Sequence, residues 1–197
     1  MHALAMDRWA CHCGRYFHQD PQTEAVVLHP KNIRKPHIDL LLFSPNTVYP
    51  FYKLCTMGAS DYKLPLTFCC RNEFILFLSQ EERENLPWFT DVLLSAALYP
   101  VENHISLTYG HSIIWGSQPG TDMHGAYLDL PYPIEGSGFF SCSLSPLRKT
   151  RCLQVTLLTE TEIRNLIRLG PEKFGEFLYP PEGRPHFLSQ RYRTEAF

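Results

Sequence analysis

Several groups of residues in this chain have the types to do chemistry, and their spacing says which chemistry each would serve. Cys11-His12-Cys13, with His18 close behind, offers thiolate and imidazole ligands to a metal. Structural zinc draws on Cys-x-x-Cys spacing, which lets both sulfurs reach one tetrahedral ion. A Cys-x-Cys pair on a helix instead throws its side chains about 200° apart, at 3.6 residues per turn. Adjacent Cys69-Cys70 could complete a set only by accident of folding. The expectation is ordinary thiols, with no bound metal and no cofactor. Ser60, in Met57-Gly58-Ala59-Ser60-Asp61, lacks the second glycine of a nucleophile elbow. His111 and Asp39 have the types of a general base and its orienting carboxylate, yet nothing in the sequence brings them together. No glycine-rich loop followed by Lys offers to cradle a phosphate.

Charge and aromatic content point to a different kind of work. The segment His29-Pro30-Lys31-Asn32-Ile33-Arg34-Lys35-Pro36-His37 holds three permanent cations, and Arg184, Arg191 and Arg193 make a basic tail. The whole chain nevertheless has 18 Lys and Arg against 20 Asp and Glu, a net charge of −2. A dedicated nucleic-acid binder is strongly basic, so that class is disfavoured and the cations suit an acidic protein surface better. Phe (13), Tyr (10) and Trp (3) exceed what a core of this size requires. Tyr132, Phe139 and Phe140 fall in a Pro-, Gly- and Ser-rich stretch, Pro131 to Pro146, which reads as a long surface loop. Exposed adjacent rings mark a contact site, so these three are the expected partner-binding residues. The alternative is that Phe139 and Phe140 begin a strand and one of them is buried.

The elements that would position these groups are short. The 197 residues, 44% of them hydrophobic, suffice for one domain with a real core. Residues 2–18 read as an opening helix, and strands follow at 24–29, 37–43, 51–57 and 73–79. The second strand is apolar on both faces and therefore central. A helix is expected from Pro87 to Leu98, stopped or kinked by Pro100. Shorter strands punctuated by glycines lie between Ile105 and Leu130, and Cys152 to Leu158 is a buried strand. Thr159-Glu160-Thr161-Glu162 is a capping box opening a helix whose inward stripe is Ile163, Leu166 and Ile167. Pro171 opens another helix carrying Phe174, Phe177 and Leu178. The pattern predicts an α+β domain over 1–180, with a mostly antiparallel or mixed central sheet, and a polar, mobile tail over 181–197.

Seven cysteines, an odd number and several in apolar runs, suit a reducing cytoplasm. No apolar stretch reaches the length of a membrane span, and the brief apolar start is cut short by Asp7 and Arg8, unlike a secretory signal.

The order of segments resembles the Suppressor of fused-like domain family in its single-domain bacterial form, from about Cys13 to Leu178. The pieces that carry the resemblance are His37-Ile38-Asp39-Leu40, Met57-Gly58-Ala59-Ser60-Asp61 with Leu66 after it, Gly110-His111-Ser112-Ile113, and Val155-Thr156-Leu157-Leu158-Thr159-Glu160-Thr161-Glu162. The sequence departs from the family where Ala59 stands in place of a methionine after the glycine. The resemblance implies a non-enzymatic domain that binds another protein, most concretely an immunity protein neutralising a cognate polymorphic toxin. The competing expectation is a small cytosolic enzyme, a hydrolase or a metal-dependent one, using His111 with Asp39 or the cysteine cluster.

Overall fold

The apolar runs of the sequence lie side by side in one sheet. A computed structural model describes residues 2–30, 37–62, 70–136, 138–146, 148–178 and 188–192. Its strands are β1 (Ala25–Leu28), β2 (Asp39–Phe43), β3 (Tyr52–Met57), β4 (Cys70–Leu78), β5 (Ser112–Ile114), β6 (Met123–Asp129), β7 (Ser141–Ser145), β8 (Arg148–Thr159) and β9 (Leu188–Ser189). The helices are α1 (His2–Phe17), α2 (Leu86–Glu102), α3 (Glu160–Leu169) and α4 (Pro171–Leu178). The sheet order is β1-β2-β3-β4-β8-β6-β5, with β7 also on β8 and β9 also on β4. Neighbours are antiparallel except β4–β8 and β4–β9, which are parallel, so the domain is α+β around a mixed sheet.

Both faces of the central strands are covered, which is why Leu40 to Phe43 and Phe74 to Leu78 read as apolar on both faces. On β2, Leu40 and Leu42 point to one face and pack with Phe89, Leu93, Ala96 and Ala97 of α2. Leu41 and Phe43 point to the other, where Trp9, Cys13 and Phe17 of α1 cover them. A third cluster, Tyr127, Leu158, Ile163, Leu166, Phe174 and Leu178, seats α3 and α4.

The capping box forms as its spacing requires. Glu162 N–H donates to Thr159 Oγ1 at 3.3 Å, and Thr159 N–H donates to Glu162 Oε2 at 2.8 Å. Both residues are buried, so water cannot replace a lost partner. Thr159→Ala is therefore expected to cost about 1–2 kcal/mol, the upper part of the range for caps, measured as a lower urea midpoint at unchanged m-value.

Four expectations are corrected. Of the two effects expected of Pro100, stopping or kinking α2, the stop does not occur, and the helix continues to Glu102; so close to the end, the missing N–H forfeits little of the hydrogen-bond ladder. Ile167 is 71% exposed, because the face that meets the sheet is set by Ile163 and Leu166 and one further residue rotates off it. The stretch 131–146 is not one long loop, since β7 takes Ser141–Ser145 with Cys142 and Leu144 buried between exposed serines. In the tail, Leu188 and Ser189 pair with Phe77 and Leu78 of β4, so this part joins the sheet.

Candidate functional site

Of the three expected contact residues, the structure keeps two on the surface. Phe139 is 1% exposed. Its ring lies 5.8 Å from His12, nearly parallel to it, and 5.2 Å from Phe17, with Trp9 and Tyr16 completing the cage. This removes Phe139 as a surface anchor and makes it part of the core under α1. The glycines beside it serve that packing: a Cβ on Gly138 would collide with Tyr16 Oη, and Gly136 turns the chain at φ +96°. Tyr132 is 59% exposed and Phe140 is 37% exposed. Tyr132 N–H donates to Gln154 Oε1 at 3.1 Å, and Phe140 C=O accepts from Cys152 N–H at 2.8 Å. The backbones of both are thus tied to one short stretch of β8, about 7 Å long, and both side chains are exposed in the turns that precede β7.

A second surface feature was not legible in the sequence. Between the β1–β2 hairpin and α2 runs an open groove of about 710 Å³, walled by Leu28, Ile38, Leu42, Leu94 and Leu98 with Thr90 and Asp91 at its polar side. Its walls belong to elements some fifty residues apart, so no local pattern announces it. Val26 and Val27 of β1, an edge strand, are exposed beside it.

The residues proposed for catalysis are not assembled. His111 precedes β5 and Asp39 begins β2, which lie five strands apart in the sheet, about 24 Å at the usual interstrand spacing. Asp39 Oδ1 instead meets His29 Nδ1 at 2.8 Å and His37 Nε2 at 3.1 Å. Ser60 Oγ accepts from Arg148 Nη2 at 2.9 Å, and its backbone N–H donates to Glu73 Oε1 at 2.9 Å. Its side chain also hydrogen-bonds the buried Glu73 carboxylate, and neither His111 nor Asp39 is among its hydrogen-bond partners. Cys11 is exposed while Cys13 is buried, so the Cys-x-Cys pair diverges on α1 as its spacing requires. His12 between them stacks against Phe139, and burial lowers its pKa. Burial raises the Cys13 and Cys152 thiols well above their ordinary value, the behaviour of inert core thiols. Cys69 and the side chain of Cys70 lie outside the described residues, as do Leu66, the cations Lys31, Arg34 and Lys35, and Arg184 and Arg193.

The Gly58–Asp61 segment is held by buried charge that the sequence reading passed over. Glu73 accepts from Thr56 Oγ1 at 2.6 Å, Gly58 N–H at 3.1 Å and Ser60 N–H at 2.9 Å. Arg71 donates to the Ser60 and Asp61 carbonyls, and Arg148 pairs with the Asp61 carboxylate. A Glu directly before the apolar run Phe74 to Leu78 is the available signal. Lys53 is likewise buried on β3, where desolvation lowers its pKa to about 8 while its Nζ donates to Ser44 C=O.

Residues 34–188, about four-fifths of the chain, match the family model described as Suppressor of fused protein (SUFU). Among solved structures, the Sufu chain of a Sufu–Fu complex superposes with a TM-score of 0.72 at 11% identity, over 98% of this chain and 92% of that one. A SUFU homolog from Neisseria gonorrhoeae FA 1090 gives 0.66 at 13%, over 97% and 96%. Drosophila Suppressor of Fused gives 0.71 at 12% over 98% of this chain, which spans 51% of that longer one. No curated protein matches significantly. Identities this low speak to fold, and the family match speaks to descent. The two agree, and the chain belongs to the Suppressor of fused family.

Proposed function

We propose that this chain is a non-enzymatic protein-binding domain that acts in the cytoplasm as an immunity protein, neutralising a cognate bacterial polymorphic toxin. The observation that carries the reading is the family match over residues 34–188. One structural relative was solved in complex with Fu, and another is a bacterial homolog that this chain spans almost end to end. No helix among the described residues is long and apolar enough to cross a membrane. The contact surface centres on Tyr132 and Phe140, both exposed and both tethered to β8. Exposed aromatic side chains whose backbones are tethered to a strand give contact area at low entropic cost, as hot spots require.

The test is a pull-down from the source organism, followed by co-expression of this chain with the toxin domain that the pull-down captures. The wild-type chain is expected to restore growth and co-purify with the toxin. The double variant Tyr132→Ser, Phe140→Ser is expected to keep its melting temperature and bind about 2–4 kcal/mol more weakly in titration calorimetry. Absence of rescue and of a complex would overturn the immunity reading, whereas tight binding by the double variant would displace only the surface.

A further inference from the structure

We propose that His29, His37 and Asp39 form a binding site for a divalent first-row transition-metal cation of the zinc type. The sheet itself brings them together. The β1–β2 register pairs Leu28 with Leu40, so His29 comes opposite Asp39 one step further along. His37 precedes Asp39 by two residues, which places it on the same face of an extended chain. One ligand atom from each residue lies within 4.8 Å of the other two, and His29 Nδ1 and His37 Nε2 converge on the same oxygen, Asp39 Oδ1, at 2.8 and 3.1 Å.

The donor set and the spacing fit one chemistry. A tetrahedral ion with bonds of about 2.0–2.1 Å to imidazole nitrogen and carboxylate oxygen spaces its ligand atoms about 3.3–3.4 Å apart. The two separations from Asp39 Oδ1 fall short of that by a few tenths of an ångström, and the two imidazole nitrogens lie within 4.8 Å of each other, so small rotations of the imidazoles bring the set to that spacing. Those side chains are 69% and 54% exposed, against 8% for Asp39. A fixed, buried carboxylate with two adjustable imidazoles over it is an arrangement that an arriving ion can close. Two imidazoles and one carboxylate suit zinc and its neighbours over magnesium or calcium, which prefer oxygen. Three protein ligands leave a position for water or an incoming group, as in exchangeable rather than closed structural sites. In the sequence His29 and His37 look like the flanks of a cationic segment, and their eight-residue separation matches no finger-like spacing.

The competing account is two imidazole N–H groups shared by one carboxylate oxygen with no metal. Tag-free protein, stripped with a chelator and dialysed, separates the two when titrated with Zn²⁺ by calorimetry and with Co²⁺ by visible absorption. The expected result is one ion per chain, an absorption of tetrahedral type with Co²⁺, and a melting temperature that rises with Zn²⁺ concentration. His29→Ala and His37→Ala, both at exposed positions, are each expected to keep the metal-free melting temperature. Each should weaken Zn²⁺ binding by more than about 100-fold, beyond the loss that an outer-shell partner produces. Cys11→Ser, removing the exposed thiol, is expected to leave binding unchanged. Absence of stoichiometric uptake overturns the site, as does uptake that survives both His changes or vanishes with Cys11→Ser. The proposal stands apart from toxin binding, which the Tyr132 and Phe140 variant tests without metal.

Discussion

Phe139→Ala is expected to lower the free energy of unfolding by about 3–5 kcal/mol, the range for a fully buried phenylalanine. The ring is enclosed by Trp9, His12, Tyr16 and Phe17, all from α1, and it belongs to the core layer that also holds Phe43, Phe77 and Cys152. Removing it opens a cavity walled by rigid aromatic faces, which collapse poorly. It also strips α1 of a main contact with the segment before β7, so the loss should include α1's protection against amide exchange. Phe140→Ala, one residue away and partly exposed, is expected to change stability by less than about 1 kcal/mol. Chemical melts of the two single variants give the comparison. Equal effects would mean that the two rings share one environment, contrary to the observed burial.

Glu73→Ala is expected to be about as damaging, at roughly 3–5 kcal/mol, by another route. It leaves Thr56 Oγ1, Gly58 N–H and Ser60 N–H without their shared acceptor inside the core, and each unsatisfied buried group costs about 1–3 kcal/mol. Removing a desolvated carboxylate offsets part of that sum. Glu73→Gln keeps a carbonyl oxygen for the two amides and an NH₂ that can donate to Thr56, so it should cost far less. The two forms also differ in their response to pH. Burial raises the Glu73 pKa above its ordinary value of 4.5, outweighing its hydrogen bonds from Ser60, Thr56 and Gly58. The folded chain therefore holds this proton more tightly than the unfolded chain does. Its contribution to stability is full below about pH 4.5 and is lost as pH rises through the folded pKa. Glu73→Gln cannot titrate, so its stability relative to wild type should improve as pH climbs from 4 to 7. A difference that stays constant across that range would show that Glu73 titrates normally.

Much of this architecture is local or repetitive enough to be read from residue order. The capping box at Thr159 and Glu162 depends on residues three apart. The runs Leu40 to Phe43 and Val155 to Leu158 are apolar on both faces, Thr156 apart, because both faces of the strands are covered. The divergence of Cys11 and Cys13 follows from helical pitch alone. The pieces that carry the resemblance, from His37 to Glu162, lie within the span that the family model matches, which begins at residue 34 and not near Cys13.

What residue order does not contain is which distant segment will cover a given side chain. Phe139 and Phe140 are neighbours of one type in a Pro- and Gly-rich stretch, and only α1, more than 120 residues earlier, decides that one is core and the other surface. Asp39 and His111 have the types of an orienting carboxylate and its base, but the sheet order separates them and the β1–β2 register delivers His29 instead. Glu73 would be costly in its apolar strand but for the chain reversal after β3, which aims two backbone N–H groups at it. Helix pitch, strand alternation and caps act over a few residues, so the sequence by itself determines most of the elements, though not β7, β9 or the exposure of Ile167. Burial of a particular ring, pairing of a particular carboxylate and closure of the groove depend on contacts between segments far apart in the chain, and those exist only once the sheet has assembled.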